Sequence, residues 1–170
     1  MKVAFWFGLM LLLTCGLSKQ DTIGIYQFAR SIDPRVLETH PGRWKELPLA
    51  SKPIVTDADI IAYDFSKHAM KLEPKALKRL PSPPVEGIPF VVVVNGERIY
   101  LGAFTSSISS VSFDLPVITV DRRALDPTSL ADILLIENGI PPQSSAPGKD
   151  LRSDVRVRDA LANLKKLATL

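Results

Sequence analysis

Five serines lie close together in residues 106–112 and are the first candidates for chemistry. They are Ser106, Ser107, Ser109, Ser110 and Ser112. A serine nucleophile needs a base, and the chain offers two histidines for that role, His40 and His68. The segment contains neither a Gly-x-Ser-x-Gly turn nor a Ser-x-x-Lys motif. We therefore expect a solvated polar loop, and a hydrolase that uses this loop is kept as an alternative.

Three aspartates, Asp57, Asp59 and Asp64, are the second candidate group. Paired carboxylates can exchange protons or hold a metal ion. However, Asp57 follows Thr56 just before an apolar segment and Asp64 precedes a short polar one, which are positions typical of capping and turn formation. We expect structural roles for these carboxylates, an exposed His68 in the turn, and no metal or other cofactor.

The composition indicates an ordinary globular domain with short appendages. The chain has 170 residues, of which 46% are hydrophobic and 23% charged. The formal net charge is +3, and no basic stripe with interleaved aromatic residues is present. We therefore expect no nucleic-acid partner.

The first 18 residues have the three parts of an export signal. Lys2 supplies a positive start, residues 3–14 are an unbroken apolar segment, and small residues follow. Such a segment is shorter than the roughly 20 residues of a membrane-spanning helix but suits the core of a signal peptide. The sequence therefore predicts an exported protein.

Two processing routes remain open for this leader. Gly16 and Ser18 form a small-x-small pattern that permits cleavage after Ser18. Residues 12–15, Leu-Leu-Thr-Cys, resemble a bacterial lipobox, in which Cys15 would be lipidated and would tether the protein to a membrane. Thr14 departs from that pattern, which usually has glycine, alanine or serine there. We expect a bacterial protein that is periplasmic or an outer-membrane-anchored lipoprotein.

Hydrophobic patterning predicts short strands and helices after the leader. Strands are predicted at residues 22–29, 58–65, 69–73 and 116–120. Short helices are predicted at residues 34–38, capped by Asp33, and at residues 74–80. A longer helix is predicted from Asp126 to Gly139, with Leu130, Ile133 and Leu134 on one face.

Residues 89–103 predict a β-hairpin around Asn95-Gly96, a pair that suits a type I′ turn. The turn sets a register in which Val92 faces Ile99 and Val91 faces Tyr100. One face then carries the core residues Phe90, Val92, Ile99 and Leu101. The opposite face carries Val91, Val93, Arg98 and Tyr100. This second face, or a sheet edge, can accept an extended peptide by strand addition, unless a helix at residues 130–134 covers it.

Together these elements predict an α+β fold: a small, mainly antiparallel sheet with one or two helices packed on it. We place this domain at residues 22–140 and a linker at residues 141–149. Residues 150–170 predict an amphipathic helix, for which packing on the domain, binding to a partner and binding to an anionic membrane are all open, and we favour a detached or loosely docked helix. Its apolar stripe is Val157, Ala160, Leu161, Leu164 and Leu167.

The order of motifs in residues 53–104 resembles the head subdomain of the first periplasmic domain of SecD, a subunit of the protein-export translocase. The matching residues are Thr56, Asp59, Ile60, Leu72, Gly87, Pro89, Gly96 and Ile99. SecD continues into membrane-spanning helices that hold its proton-coupled machinery, and no such segment follows here. The resemblance therefore implies a small α+β module that contacts a polypeptide or another envelope protein, with no catalytic residue to carry over.

From the sequence we expect a non-enzymatic module, exported or lipid-anchored, that acts in the cell envelope by binding a protein or an extended peptide. One alternative is an envelope hydrolase that uses residues 106–112. The other is a small-molecule or lipid binder with a pocket between sheet and helix.

Overall fold

The computed structural model describes residues 21–121, 132–141 and 150–170. The export signal, with Cys15, and most of the predicted linker lie outside the described residues. The strands are β1 (Ile23–Gln27), β2 (Val55–Thr56), β3 (Ile60–Asp64), β4 (Ala69–Leu72), β5 (Ile88–Val94), β6 (Glu97–Thr105), β7 (Phe113–Thr119), β8 (Ile133–Leu135) and β9 (Glu137–Ile140). The helices are α1 (Pro34–Glu38), α2 (Pro74–Leu77) and α3 (Val155–Asn163), with 3-10 turns at Arg43–Lys45, Asp57–Asp59 and Leu151–Ser153.

The strands form two sheets, and the predicted α+β class is confirmed. The larger sheet has the order β2-β1-β5-β6-β7-β9, and the smaller has the order β3-β4-β8. Every pairing is antiparallel except that of β6 with β7. Only Ile136 separates β8 from β9, so the chain passes directly from the smaller sheet into the larger one.

Both faces of the larger sheet are covered. One face packs against the smaller sheet and α3 in a cluster that includes Phe90, Tyr100, Phe104, Leu134 and Leu161. The other face packs against α1 and the irregular segment after it, in a cluster that includes Phe28, Leu37, Val91, Leu101 and Phe113. The larger sheet is therefore the central layer of the molecule.

The Asn95-Gly96 hairpin forms as predicted near its turn but changes register further out. Asn95 and Gly96 have φ values of +52° and +84°, as a type I′ turn requires. Val94 pairs with Glu97 and Val93 with Arg98, but an irregularity then shifts the ladder by one residue. Val92 consequently pairs with Tyr100 rather than with Ile99, and the side chains beyond this point exchange faces.

The shifted register places Gly102 directly opposite Phe90. A Cβ atom added at Gly102 would contact the Phe90 ring and would lie 2.7 Å from the backbone oxygen of Pro116. Glycine at this position therefore allows the aromatic ring and the β7 backbone to approach the β6 main chain closely.

The predicted helix at residues 126–139 is wrong where the structure describes it. Residues 122–131 lie outside the described part, but residues 133–140 form β8 and β9. In β8, Leu134 pairs with Met70 and Ile133 with Lys71. The spacing of these apolar residues suits a helix face, but β-branched residues beside an available strand favour pairing.

The C-terminal segment is docked, which corrects the expectation of a detached or loosely docked helix. Its helix covers Val155–Asn163 rather than all of residues 150–170, and it buries Val157, Ala160 and Leu161 in the core. Lys165, at φ +57°, ends the helix, and the amide of Lys166 donates to the carbonyl of Leu161 over 2.8 Å. The following residues then run along β3, where the amide of Tyr63 donates to the carbonyl of Lys166. None of the described helices is long and apolar enough to span a membrane.

Candidate functional site

A polar cluster surrounds the buried His68 at the turn between β3 and β4. Its Nδ1 lies 3.3 Å from the hydroxyl of Tyr63, and its Nε2 lies 3.4 Å from Oγ of Ser153 and 3.5 Å from Oδ2 of Asp150. The ring of Phe65 packs edge-on against the imidazole. The expectation that His68 is exposed is therefore wrong, because residues far along the chain cover the turn.

Asp64 shapes the turn that presents His68. Its Oδ1 accepts hydrogen bonds from the hydroxyl and the amide of Ser66 and from the amide of Lys67, at 2.6 to 3.2 Å. The hydrogen bond from the Ser66 hydroxyl is the main reason that the pKa of Asp64 is lowered, and the amide of Leu170 adds to the effect. His68 itself adopts φ +50°, a conformation that most side chains disfavour. Asp64 thus has the turn-forming role expected from the sequence.

Arg152 connects this cluster to the strand crossover. Its guanidinium holds Asp150 with two hydrogen bonds of 2.9 and 2.7 Å and donates to the carbonyl of Ile136 over 2.6 Å. Arg152 lowers the pKa of Asp150, chiefly through these side-chain hydrogen bonds. Burial, followed by the charge of Arg152, lowers the pKa of His68, so the imidazole is neutral at neutral pH.

The cluster combines a serine, a histidine and an aspartate, but not in the order that a catalytic triad requires. In a triad, the two ring nitrogens face the nucleophile and the carboxylate separately. Here Ser153 and Asp150 both face Nε2, while Nδ1 faces Tyr63, whose pKa is raised by burial. The contacts that the structure does show join the β3–β4 turn to the segment before α3.

We expect the stability of the protein to fall as the pH drops below about 6.5, the ordinary pKa of histidine, because the pKa of folded His68 is lowered. The unfolded chain then takes up the proton first, and each pH unit costs up to about 1.4 kcal/mol until the folded pKa is reached. Urea unfolding between pH 7.5 and 5 measures this slope. The variant His68→Asn, which tolerates positive φ and does not titrate, should flatten the slope.

The variant His40→Asn is the matched control, because His40 is exposed and its ring interacts with Thr39 and with the carbonyl of Val36 at the end of its own helix. It should keep the slope of the unmodified protein. An unchanged slope in His68→Asn would disprove the role assigned to His68.

The serine segment forms the predicted loop, and its side chains support the loop itself. Ser106 and Ser107 donate through their hydroxyls to Asp121 over 2.9 and 3.0 Å. Ser109 donates to the carbonyl of Val85 over 2.6 Å. Within the described part of the chain, neither histidine forms a hydrogen bond to any of these serines.

The three aspartates are not brought together. Asp59 is buried, where it accepts from the amide and hydroxyl of Thr56 and pairs with Arg79 at 2.5 Å. Asp64 is the last residue of β3, whereas Asp57 begins the 3-10 turn that precedes this strand. No group of three or more metal-binding side chains occurs among residues 21–121, 132–141 and 150–170.

The predicted protein-binding surface does not exist as one exposed face. Val91 is buried under α1 and the segment after it, rather than under a helix at residues 130–134. Tyr100 is buried on the opposite face, because the register shift reverses its direction. Val93 and Arg98 are half-buried, and Arg98 donates to the carbonyl of Trp44 over 2.6 Å.

Two strand edges offer a different surface, which sequence reasoning named only in general terms. Among the described residues, β8 pairs only with β4, and β9 pairs only with β7. In contrast, the outer side of β3 is occupied by the C-terminal segment, whose Leu167 lies beside Tyr63. The continuous segment 133–140 thus forms one edge of each sheet.

The space between the two sheets is well filled. A cavity of about 20 Å³ remains beside Ile25, Tyr63, Met70 and Tyr100. That volume holds about one water molecule. A ligand site in this space, one form of the small-molecule alternative, would require the two sheets and α3 to separate.

The comparisons with known proteins do not place the chain in a family. No protein-family model, curated protein or solved structure matches it.

Proposed function

We propose that this protein is an exported, non-enzymatic module of the bacterial cell envelope that binds an extended polypeptide segment along the edge formed by β8 and β9. The observation that carries this proposal is that residues 133–140 border both sheets and pair with no further strand among the described residues, while the carbonyl of Ile136 between β8 and β9 accepts from Arg152. Strand edges are the surfaces to which extended peptides add by main-chain hydrogen bonding.

The side chains of β8 support this choice of edge. Leu135, the last residue of β8, is 43% exposed although it pairs with Ala69. A charged side chain at such a position would discourage strand addition, and a leucine does not. The β8 part of the edge therefore has the character of a pairing surface, whereas β9 begins with the charged Glu137.

The export of the protein and its attachment to a membrane are inferred from residues 1–18. Cleavage after Ser18 would release the module into the periplasm, and lipidation of Cys15 would tether it to a membrane. The SecD-like order of motifs in residues 53–104 supports a polypeptide-binding role in the envelope. Intact mass measurement of the protein purified from its host distinguishes a first residue of Lys19 from a lipidated Cys15.

We expect the variant Leu135→Lys to weaken peptide binding at the edge about tenfold, which is about 1.4 kcal/mol. The added charge must be desolvated when a strand pairs beside it. The measurement is in-cell crosslinking from a photoreactive residue at Asn138, with the adduct yield compared between variants.

The matched control is Ile61→Lys, because Ile61 is 41% exposed but lies on β3, whose outer side is already occupied. It should leave the adduct yield unchanged. Equal yields in the two lysine variants would count against the edge. Labelling of the protein by a serine-reactive probe would favour the hydrolase alternative instead.

A further inference from the structure

The chain segment after α3 pairs with β3 along its outer side. Leu167 lies beside Tyr63 in a parallel arrangement. The amide of Tyr63 donates to the carbonyl of Lys166 over 2.8 Å, and the amide of Ala168 donates to the carbonyl of Tyr63 over 3.1 Å. This alternation of donor and acceptor on one residue is the pattern of a parallel strand pair. We call residues 166–170 the tail segment.

The β3–β4 turn holds the other end of the tail segment. The amide of Leu170 donates to Oδ2 of Asp64 over 3.1 Å, and Nζ of Lys67 donates to the carbonyl of Leu170. Hydrogen bonds therefore hold the tail segment to the smaller sheet at both of its ends.

In contrast to α3, the tail segment adds no buried side chain to the core. Three side chains of α3 are buried, namely Val157, Ala160 and Leu161. Leu167 is 39% exposed, and the rest of the tail segment is exposed or half-buried. Lys165, at φ +57°, separates the two parts. Because burial of apolar side chains is the main source of stability, α3 can stay docked when the tail segment leaves β3.

Release of the tail segment would uncover a strand edge. The amide and the carbonyl of Tyr63 would lose their partners in Lys166 and Ala168. Such main-chain groups at a sheet edge are the ones to which an extended segment adds. The edge of β3 would then be open to another segment in the place of the tail segment.

We propose that the edge of β3 is a peptide-binding site, and that the tail segment occupies it as an internal ligand that an extended segment of another polypeptide displaces. The tail segment itself defines the chemistry of that partner. The partner lies parallel to β3, places an aliphatic side chain at the position of Leu167 and supplies the amide that Ala168 supplies here. In the smaller sheet β3 and β8 are at opposite edges, so the proposal does not depend on binding at the β8–β9 edge.

Amide hydrogen exchange in the unmodified full chain tests whether the tail segment opens by itself. The tail segment protects the amide of Tyr63, whereas the carbonyl of His68 protects the amide of Ile136. We expect the Tyr63 amide to exchange at least about tenfold faster than the Ile136 amide, through local opening. Equal rates would overturn the proposal, because the tail segment would then leave β3 only when the whole protein unfolds.

A fluorescent peptide with the sequence of residues 164–170, Leu-Lys-Lys-Leu-Ala-Thr-Leu, tests whether the edge accepts another segment. Its apparent affinity is the intrinsic affinity reduced to the fraction of molecules whose edge is open. The variant Ala168→Pro removes the amide that donates to Tyr63 and so opens the edge. In fluorescence anisotropy, this variant should show a Kd at least about fivefold lower than that of the unmodified chain.

Thr169→Pro is the matched control, since within the described residues the amide of Thr169 donates no hydrogen bond. It should leave the Kd as in the unmodified chain. A second peptide, with N-methylalanine at the position of Ala168, lacks the donor that pairs with Tyr63. It should bind the Ala168→Pro variant at least about fivefold more weakly than the first peptide does.

A photoreactive group on the peptide shows where it binds. Adducts at residues 60–66 of the Ala168→Pro variant support the proposal. A Kd that Ala168→Pro leaves unchanged would overturn it, as would adducts confined to residues 133–140, which mark the β8–β9 edge. Dimers of the unmodified chain that Ala168→Pro abolishes would also overturn it, because they would make a second copy of the chain the occupant.

Discussion

Replacing Gly102 with alanine is expected to destabilise the protein by about 3 kcal/mol, which is at the upper end for overpacking a core. The new Cβ atom would collide with the Phe90 ring and would lie 2.7 Å from the backbone oxygen of Pro116. The Phe90 ring is fully buried and cannot move aside without displacing its neighbours in the core. The Pro116 carbonyl is fixed in β7. Urea unfolding monitored by circular dichroism measures the loss.

Gly42→Ala is the matched control for this substitution. No atom lies within 4 Å of a Cβ added at Gly42, whose φ is +91°, so the change introduces backbone strain without a collision. Its cost should be about 1 kcal/mol. Equal losses in the two variants would show that the collision at Gly102 costs no more than the backbone strain at Gly42.

Leu161→Ala is expected to cost about 3 kcal/mol, because the side chain is fully buried between α3 and the sheets. The measurement is again the free energy of unfolding. Leu151→Ala provides the comparison, since Leu151 belongs to the same C-terminal segment but is exposed, and it should change stability by less than about 0.5 kcal/mol. A detached helix would make the two variants equivalent.

Sequence patterns predicted well those parts of the fold that local residues determine. The helix α1 begins at Pro34, and Asp33 caps it by accepting a hydrogen bond from the amide of Arg35 over 2.9 Å. The Asn95-Gly96 turn and the strands β3 and β4 also form where the sequence predicts them. Each of these features depends on residues only a few positions apart.

The errors arose where distant partners decide the structure. Residues 133–140 have apolar spacing that suits a helix, and only the presence of Met70 and Val117 as strand neighbours makes them β8 and β9. The hairpin register likewise depends on how both faces of the larger sheet pack beyond Ile99. A sequence pattern alone contains neither piece of information.

The candidate site was predicted in part. The structural roles of Asp59 and Asp64 were recognised, because capping and turn formation are local. The burial of His68 was missed, since Asp150 and Ser153 lie more than 80 positions away along the chain. The only sequence feature that pointed to this cluster was the pair of aspartates in residues 150–154, and such a pair is equally typical of the start of a helix.

The crossover at Ile136 has a consequence for the folding cooperativity of the whole molecule. The amide of Ile136 donates to the carbonyl of His68 in the smaller sheet, while the next residue, Glu137, pairs with Val117 in the larger sheet. The segment that contains β8 and β9 therefore cannot detach from one sheet without straining its pairing in the other. The two sheets form one cooperative unit, so slow amide exchange in both requires the same global unfolding event.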